Sequence, residues 1–309
     1  MSTTVPRLSI GLPVYNGENY LAQSIESLLA QSYRDFELII SDNASTDGTA
    51  EICRHYAAED SRIRYIRQPH NIGAAPNHNF VVQEARGELF KWAAHDDLFG
   101  ERLLERCVAE LDEHPEAVLA HAYMAIVDEQ GEIIESYDYT LATDSPRAPE
   151  RLRSLLHTEG GDDFYGVIRT DVMRRIAPHD SYHNAGRKLV AELAMHGPFR
   201  QVPELMFFRR EHPGRGDRLG SVRAVCRNLD PRRAGHSTAR LMSDYLRGFV
   251  TAVRRAPLSP ADRRDCYRLL FSWLAGRVVS RPVRAVGSRL NPFPAKMVAA
   301  TAGPERGSV

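Results

Sequence analysis

The apolar residues of this chain fall into two alternating patterns. Leu8 to Val14, Phe36 to Ile40, Ile63 to Ile66 and Leu89 to Ala94 are short apolar runs bounded by turn residues, which predicts buried strands. Between them the spacing changes. Leu21, Ile25, Leu28 and Leu29 follow the i, i+4, i+7, i+8 stripe of an amphipathic helix, and further helices are predicted over Thr49 to Ala58 and Ala75 to Ala85. The order β-α-β-α-β-α-β with short connections predicts an α/β fold, Rossmann-like in layout, with a mostly parallel sheet and helices on both faces.

Beyond residue 99 the pattern is more mixed. Gly100 to His114 reads as an amphipathic helix, Val118 to Val127 and Glu132 to Tyr137 as an antiparallel pair, and Leu141 to Pro149 as a polar loop. A short strand is expected over Phe164 to Ile168, a helix over Arg187 to His196 and an extended segment over Phe199 to Arg210. After Pro213-Gly214-Arg215-Gly216 three basic amphipathic segments follow, near Leu219 to Leu229, Thr238 to Arg255 and Pro260 to Val279. Ala300 to Val309 is expected to be disordered. The organisation this predicts is a domain over 1–214, made of halves 1–99 and 100–214, and a helical C-terminal extension over 215–309.

Polar residues gather after the first, second and fourth predicted strands, which all open at one end of a parallel sheet, where such folds bind ligands. Ala93-Ala94 runs into Asp96-Asp97. Two acids there suit a hard divalent cation shared with phosphate oxygens, and they equally suit a helix N-cap. Asp42 ends the second strand, placed to accept from a nucleobase imide or a ribose hydroxyl, or to cap the following turn. Tyr15 is placed to stack on a base or to pack the sheet edge. No G-x-G-x-x-G follows the first strand, which argues against a classical dinucleotide site.

Charge sharpens the picture of the tail. The chain of 309 residues has zero formal net charge, but residues 1–208 carry 19 Lys+Arg against 33 Asp+Glu, and residues 209–309 carry 21 against 7. A basic tail on an acidic body implies an anionic partner, whether the body itself, a membrane surface or a phosphorylated ligand. Leu241, Tyr245, Phe249 and Val253 share one helical face, and Tyr267, Leu270, Phe271 and Leu274 another. These faces suit an anionic membrane interface, the body, or a homodimer contact. Four scattered cysteines show no metal-ligand spacing and fit a reducing compartment. No apolar run approaches the ~20 residues of a membrane span, and Met1 to Arg7 has no signal-like apolar region. The expected location is cytoplasmic, peripheral to the inner face of the membrane, and no nucleic-acid motif is present.

Leu12-Pro13-Val14-Tyr15-Asn16, Ser41-Asp42-Asn43 with Ser45 and Asp47-Gly48-Thr49, Asn71-Ile72-Gly73 and His95-Asp96-Asp97 together resemble the family-2 glycosyltransferases of the GT-A fold. The order and spacing match across about the first 100 residues, and more loosely through Tyr165 to Arg169 and Arg209 to His212. The resemblance implies an inverting enzyme that takes a nucleoside-diphosphate sugar, of uridine or thymidine type, and uses Mg²⁺ or Mn²⁺. It implies that Pro13, Tyr15, Asn16, Asp42, Asn71, Gly73 and Asp96 bind the nucleotide. Asp97, with Asp96 and His212, would hold the metal, and Arg209, Arg210 and His212 would support the diphosphate. The acceptor would be a hydroxyl, on a lipid-linked glycan or a polysaccharide.

The sequence departs from the family where a carboxylate commonly serves as base: the matching position is Gly186. Asp163, Asp180 and Glu192 are the substitutes on offer. Two other readings compete. A nucleotidyltransferase would want a basic Gly-rich loop after the first strand, and Pro13 to Asn19 has no Lys or Arg. A non-catalytic GT-A-like binding or scaffold protein would explain Gly186 but not the intact Asp96-Asp97.

Overall fold

The computed structural model describes residues 5–137, 141–157, 165–181, 185–214, 222–233 and 235–279. Asp163, the stretch 215–221 and the final thirty residues, including Ala300 to Val309, lie outside the described residues.

Strands β1 (Leu8–Val14), β2 (Phe36–Asp42), β3 (Ile63–Arg67) and β4 (Leu89–Trp92) form a parallel array in the order β3-β2-β1-β4. They are joined by α1 (Leu21–Leu29), α2 (Thr49–Glu59) and α3 (Ala74–Glu84). The two-residue side-chain period puts Leu8, Ile10, Leu12 and Val14 into one core with Leu21, Ile25 and Leu28 of α1. On the opposite face α3 rides directly on the strand. A Cβ at Gly11 would lie 2.6 Å from Val81 Cγ2, so only glycine admits the helix that closely.

The second half extends the sheet through β5 (Leu98–Phe99), β6 (Leu119–Val127), β7 (Ile133–Tyr137), β8 (Val167–Arg169) and β9 (Phe199–Arg210). The sheet continues from β4 in the order β8-β6-β9-β5, and β7 pairs with β6. The expected antiparallel pair is therefore β6 and β7. Register matters for the site: Leu98 pairs with Phe208, and Val127 with Arg210. The residue after Asp97 is thus stitched to the end of β9, which brings Arg209 to His212 beside the two acids.

Helices α4 (Leu103–Glu113), α5 (Ala148–His157), α6 (Thr170–Arg175) and α7 (Ala185–His196) cover this half. The loop expected to reach Pro149 ends earlier, because Pro149 sits in the first turn of α5, where its missing N–H costs nothing. Leu152, Leu155 and Leu156 of that helix are buried.

The C-terminal extension folds onto the body as α8 (Val222–Leu229), α9 (Thr238–Arg255) and α10 (Pro260–Val279). Leu241, Tyr245, Phe249 and Val253 are at most 4% exposed and share a core with Leu152 and Leu156 of α5 and Met195 of α7. The apolar face of α9 is therefore occupied by the body and is not open to a membrane. On α10 the buried face is rotated from the expected one: Cys266, Leu269, Leu270 and Trp273 turn inward, and Phe271 is 63% exposed. No described helix is long and apolar enough to cross a membrane. All four cysteines are free and buried, and burial pushes the thiols of Cys53 and Cys107 up to about 12.

Candidate active site

The loops after β1 and β2 are built as one piece. Asn16, in the left-handed region at φ 50°, accepts from the Thr46 N–H through its side chain, and its own N–H donates to Ser45 Oγ at 2.9 Å. Gly17 N–H donates to Thr49 Oγ1 at 2.8 Å, and Glu18 accepts from Gly48 N–H at 2.6 Å. The dense Ser/Asp/Thr cluster after β2 is thus largely hydrogen-bond cement for the β1 loop.

Asp42 is the keystone of that cement. Its side chain is fully buried; Oδ1 accepts from Ser45 N–H at 2.8 Å, and Oδ2 accepts from the Tyr65 hydroxyl at 2.9 Å and from Arg67 at 3.2 Å. Burial, then the Asp42 contact, pushes the Tyr65 hydroxyl up to about 12. Asp42 is fully buried and is not among the cleft-lining residues, so here it holds the loop from beneath, where the sequence led us to expect a nucleotide contact. Asn43 carries the order outward: its amide donates to Asn71 Oδ1 at 3.0 Å and accepts from Ile72 N–H at 2.8 Å. Gly73, at φ 94°, turns the chain into α3 and lies behind the cleft wall.

A cleft of about 460 Å³ opens over these strand ends. Pro13, Tyr15, Asn16, Asn71 and Asp96 line it, as the sequence predicts. Tyr15 is 44% exposed, its ring open to a stacking partner. Asn77, His78, His95, Tyr165 and Asn228 also line it and were not singled out as site residues. The spacing of α3 from Gly73 could have flagged Asn77 and His78. Nothing in the sequence flags Asn228, an exposed amide in a basic helix.

The two acids part company. Asp96 faces the cleft, and its Oδ2 lies 3.0 Å from His212 Nε2. The His212 ring packs on Tyr20 with centroids 4.9 Å apart. Asp97 is 2% exposed and accepts the backbone N–H of Arg210 at 3.1 Å, so it anchors the end of β9. Arg210, expected at the diphosphate, is fully buried. Its guanidinium donates to the carbonyls of Asp96 at 3.0 Å and Glu129 at 2.6 Å and to Gln23 at 2.7 Å, and it stacks over Tyr20. It is a bolt between segments, with its donors turned away from the cleft. Arg209, half-buried, is not among the cleft residues either.

Among the described residues, no group of three His, Cys, Asp or Glu side chains is arranged to hold a metal. Asp96 and His212 supply two donors side by side. That donor set fits Mg²⁺ or Mn²⁺ bound in the usual way for phosphate chemistry, with few protein ligands and the rest from water and phosphate.

The base candidates lie elsewhere. Glu192 is fully buried on α7, 2.8 Å from Lys188 Nζ, and accepts the Ala177 N–H at 3.3 Å. It has no route to a substrate proton, which corrects the expectation placed on it. Asp180 pairs with the same Lys188 at 3.1 Å and borders a separate groove beside Asn79 and Phe80 of α3. His179 next to it packs against His78 at 5.4 Å, and burial, then His78, lowers its pKa to about 3. His78 is likewise lowered by burial, with Nδ1 2.8 Å from the Ala74 carbonyl. Lys91, buried beneath Tyr165, is lowered to about 8 by burial, and its ammonium donates to the Tyr165 carbonyl.

Known proteins agree with this architecture. The chain is 41% identical over 127 residues to the putative glycosyltransferase EpsE of Bacillus subtilis, which covers 41% of this chain and 46% of EpsE. It is 24% identical over 205 residues to glycosyltransferase GlyG of Streptococcus pneumoniae, covering 65% and 67% of the two chains. The match thus spans less than half of EpsE. Among solved structures, S. aureus TarS 1–349 in complex with UDP-GlcNAc superposes with a TM-score of 0.63 at 17% identity, covering 89% of this chain and 74% of that one. Mannosyltransferase PcManGT from Pyrobaculum calidifontis, in complex with GDP-Man and Mn²⁺, superposes with a TM-score of 0.52 at 16% identity, covering 91% and 77%. At such identities these structures speak for the fold. Residues 9–182, more than half of the chain, match the profile of glycosyl transferase family 2, and the chain belongs to that family.

Proposed function

We propose that this protein transfers a sugar, with inversion, from a nucleoside-diphosphate sugar to a hydroxyl acceptor in glycan synthesis, with residues 1–214 as the catalytic part. The observation that carries the reading is the cleft that joins an open aromatic ring, Tyr15, to Asp96, itself in contact with His212 at 3.0 Å, across the carboxyl ends of the parallel strands. The base would stack on Tyr15, with Asn71 at its edge. The diphosphate would lie toward Asp96 and His212. A divalent cation held there would neutralise charge that builds on the leaving diphosphate, an effect worth several kcal/mol. Arg210 and Asp97 keep the end of β9 in place, so that His212 stays against Asp96.

Inversion in a single displacement needs a group to take the acceptor proton and no enzyme nucleophile. Gly186 opens α7 where the family commonly carries that carboxylate. This observation favours a second reading, a protein that binds the donor and transfers slowly or not at all.

A panel of uridine, thymidine and guanosine diphosphate sugars, with and without Mn²⁺, separates the two readings. Thermal stabilisation by a donor, together with release of nucleoside diphosphate on adding a glycan acceptor, is expected. Stabilisation without release supports the binding reading, and no stabilisation by any donor overturns both.

A further inference from the structure

The donor cleft has a wall that the family match does not reach. Residues 9–182 carry the match, yet Asn228, on α8 of the C-terminal extension, lines the cleft. Its position is fixed by close packing. A Cβ built on Gly73 would lie 2.7 Å from the Leu229 carbonyl oxygen, 2.8 Å from Pro231 Cδ and 3.0 Å from Asp230 Cα. The turn after α8 therefore sits on the backbone of Gly73 with no space between. That turn is itself braced: Asp230 is 4% exposed, accepts the Arg232 N–H at 3.0 Å and pairs with its guanidinium at 2.9 Å. Through Gly73 and the Asn71–Asn43 hydrogen bond, the extension is tied into the same loop system that Asp42 supports.

The cleft has three chemically distinct regions. One is aromatic, at Tyr15. One is charged, at His95 and Asp96. The third, where α3 meets α8, offers Ala74, Asn77, His78 and Asn228. Among the described residues, this third region carries no carboxylate, lysine or arginine. The Asn77 amide is engaged at both ends by Ser41, at 2.6 and 2.8 Å. His78 is turned to the Ala74 carbonyl. The Asn228 side chain makes no hydrogen bond among the described residues, so it presents both an amide donor and a carbonyl acceptor. A neutral region with a paired donor and acceptor suits vicinal hydroxyls of a sugar ring, and neither a phosphate nor a stacked base.

From this geometry we infer that Asn228 reads the hydroxyls of the transferred sugar, so that the C-terminal extension sets the enzyme's choice of donor sugar. The inference rests on the glycosyltransferase reading, and its test is separable from that one. The full chain and its Asn228→Ala and Asn228→Asp variants are titrated with two probes. One is the nucleotide sugar of the panel that the parent binds most tightly. The other is the corresponding bare nucleoside diphosphate. Both variants are expected to lose ~3- to 10-fold in affinity for the nucleotide sugar, the loss of one or two neutral hydrogen bonds. Affinity for the bare diphosphate stays within twofold of the parent, as does the melting temperature within a degree or two. Equal losses for both probes would place Asn228 against the nucleotide and overturn the inference, and so would unchanged affinity for both. A parent that binds no member of the panel overturns the glycosyltransferase reading itself, and the inference with it.

Discussion

Asp96 and Glu192 are both carboxylates with a basic side chain close by, and the nearest contacts are almost the same length, 3.0 Å to His212 and 2.8 Å to Lys188. Their surroundings differ. Asp96 lies in the turn that follows β4 and looks into the cleft, while Glu192 is fully enclosed among α7, Lys188 and the Ala177 backbone. A hydrogen-bonded pair at the cleft can exchange partners with a ligand. A sealed pair has no such option: Lys188 is the cation beside Glu192, and Lys188 is also approached by Asp180 at 3.1 Å. Proximity of opposite charges therefore says little about chemistry until access is known. The same contrast runs between Asp96 and its neighbour Asp97, which is buried and accepts the Arg210 N–H.

The largest expected effect lies in the sealed pair. Lys188→Met leaves Glu192 buried without its cation, which costs ~3–5 kcal/mol. Replacing both, as Lys188→Met with Glu192→Leu, recovers most of that loss, because the desolvation cost of the pair goes with it. Urea titrations of the three proteins check this. Affinity for the nucleoside diphosphate stays at the parental value in whichever variants fold. If the single variant were as stable as the parent but bound no nucleotide, the knot beneath α7 would belong to the site after all.

Asp96→Asn sharpens the other side of the comparison. Turnover is expected to fall by ~10²-fold, about 2.7 kcal/mol of transition-state stabilisation, with stability little changed. Asp97→Asn is expected to lower stability as well, because the carboxylate that accepts from β9 is weakened. Parallel rate and melting measurements distinguish them. Equal turnover for Asp96→Asn and the parent at both low and saturating Mn²⁺ would remove Asp96 from the chemistry.

Much of this difference was hidden in the sequence for a physical reason. The first hundred residues were legible because their patterns are clean: the short apolar run of Leu8 to Val14 fixes a buried strand, and the helical stripe of Leu21 to Leu29 fixes a helix and its inward face. Asp96 stood out because it follows an apolar strand directly. Partners from distant segments were not legible. Asp42 reads as a free acid until Tyr65 and Arg67 are seen to fill it, and Arg210 reads as a phosphate ligand until three backbone carbonyls, of Asp96, Asp128 and Glu129, close around it. The α9 stripe was visible as a stripe, but its period is the same whether it faces a membrane or α5 and α7. Asn228 enters the cleft only because α8 packs on Gly73, a contact across more than 150 residues of chain.

The smallest expected effect concerns pH and tests how isolated the region behind α3 is from the cleft. Burial lowers the pKa values of His78 and His179 below the ordinary 6.5, that of His179 to about 3. The folded state thus binds fewer protons than the unfolded chain below pH 6.5, and stability must fall as pH falls through that window. Stability from these residues is complete above pH 6.5. The loss approaches ~1.4 kcal/mol per pH unit for each histidine that stays neutral, and for His179 it continues to about pH 3. Between pH 7 and 5 the histidines act almost alone, because the lowered carboxylates such as Glu37 and Asp60 titrate further down. His179→Asn should flatten the stability profile between pH 7 and 5 and leave nucleotide affinity at pH 7 unchanged, since His179 borders the Asp180 groove and is not itself among the residues lining the donor cleft. A variant with the parental pH profile would mean that His179 takes up its proton in the folded state, and that the region behind α3 is open to water.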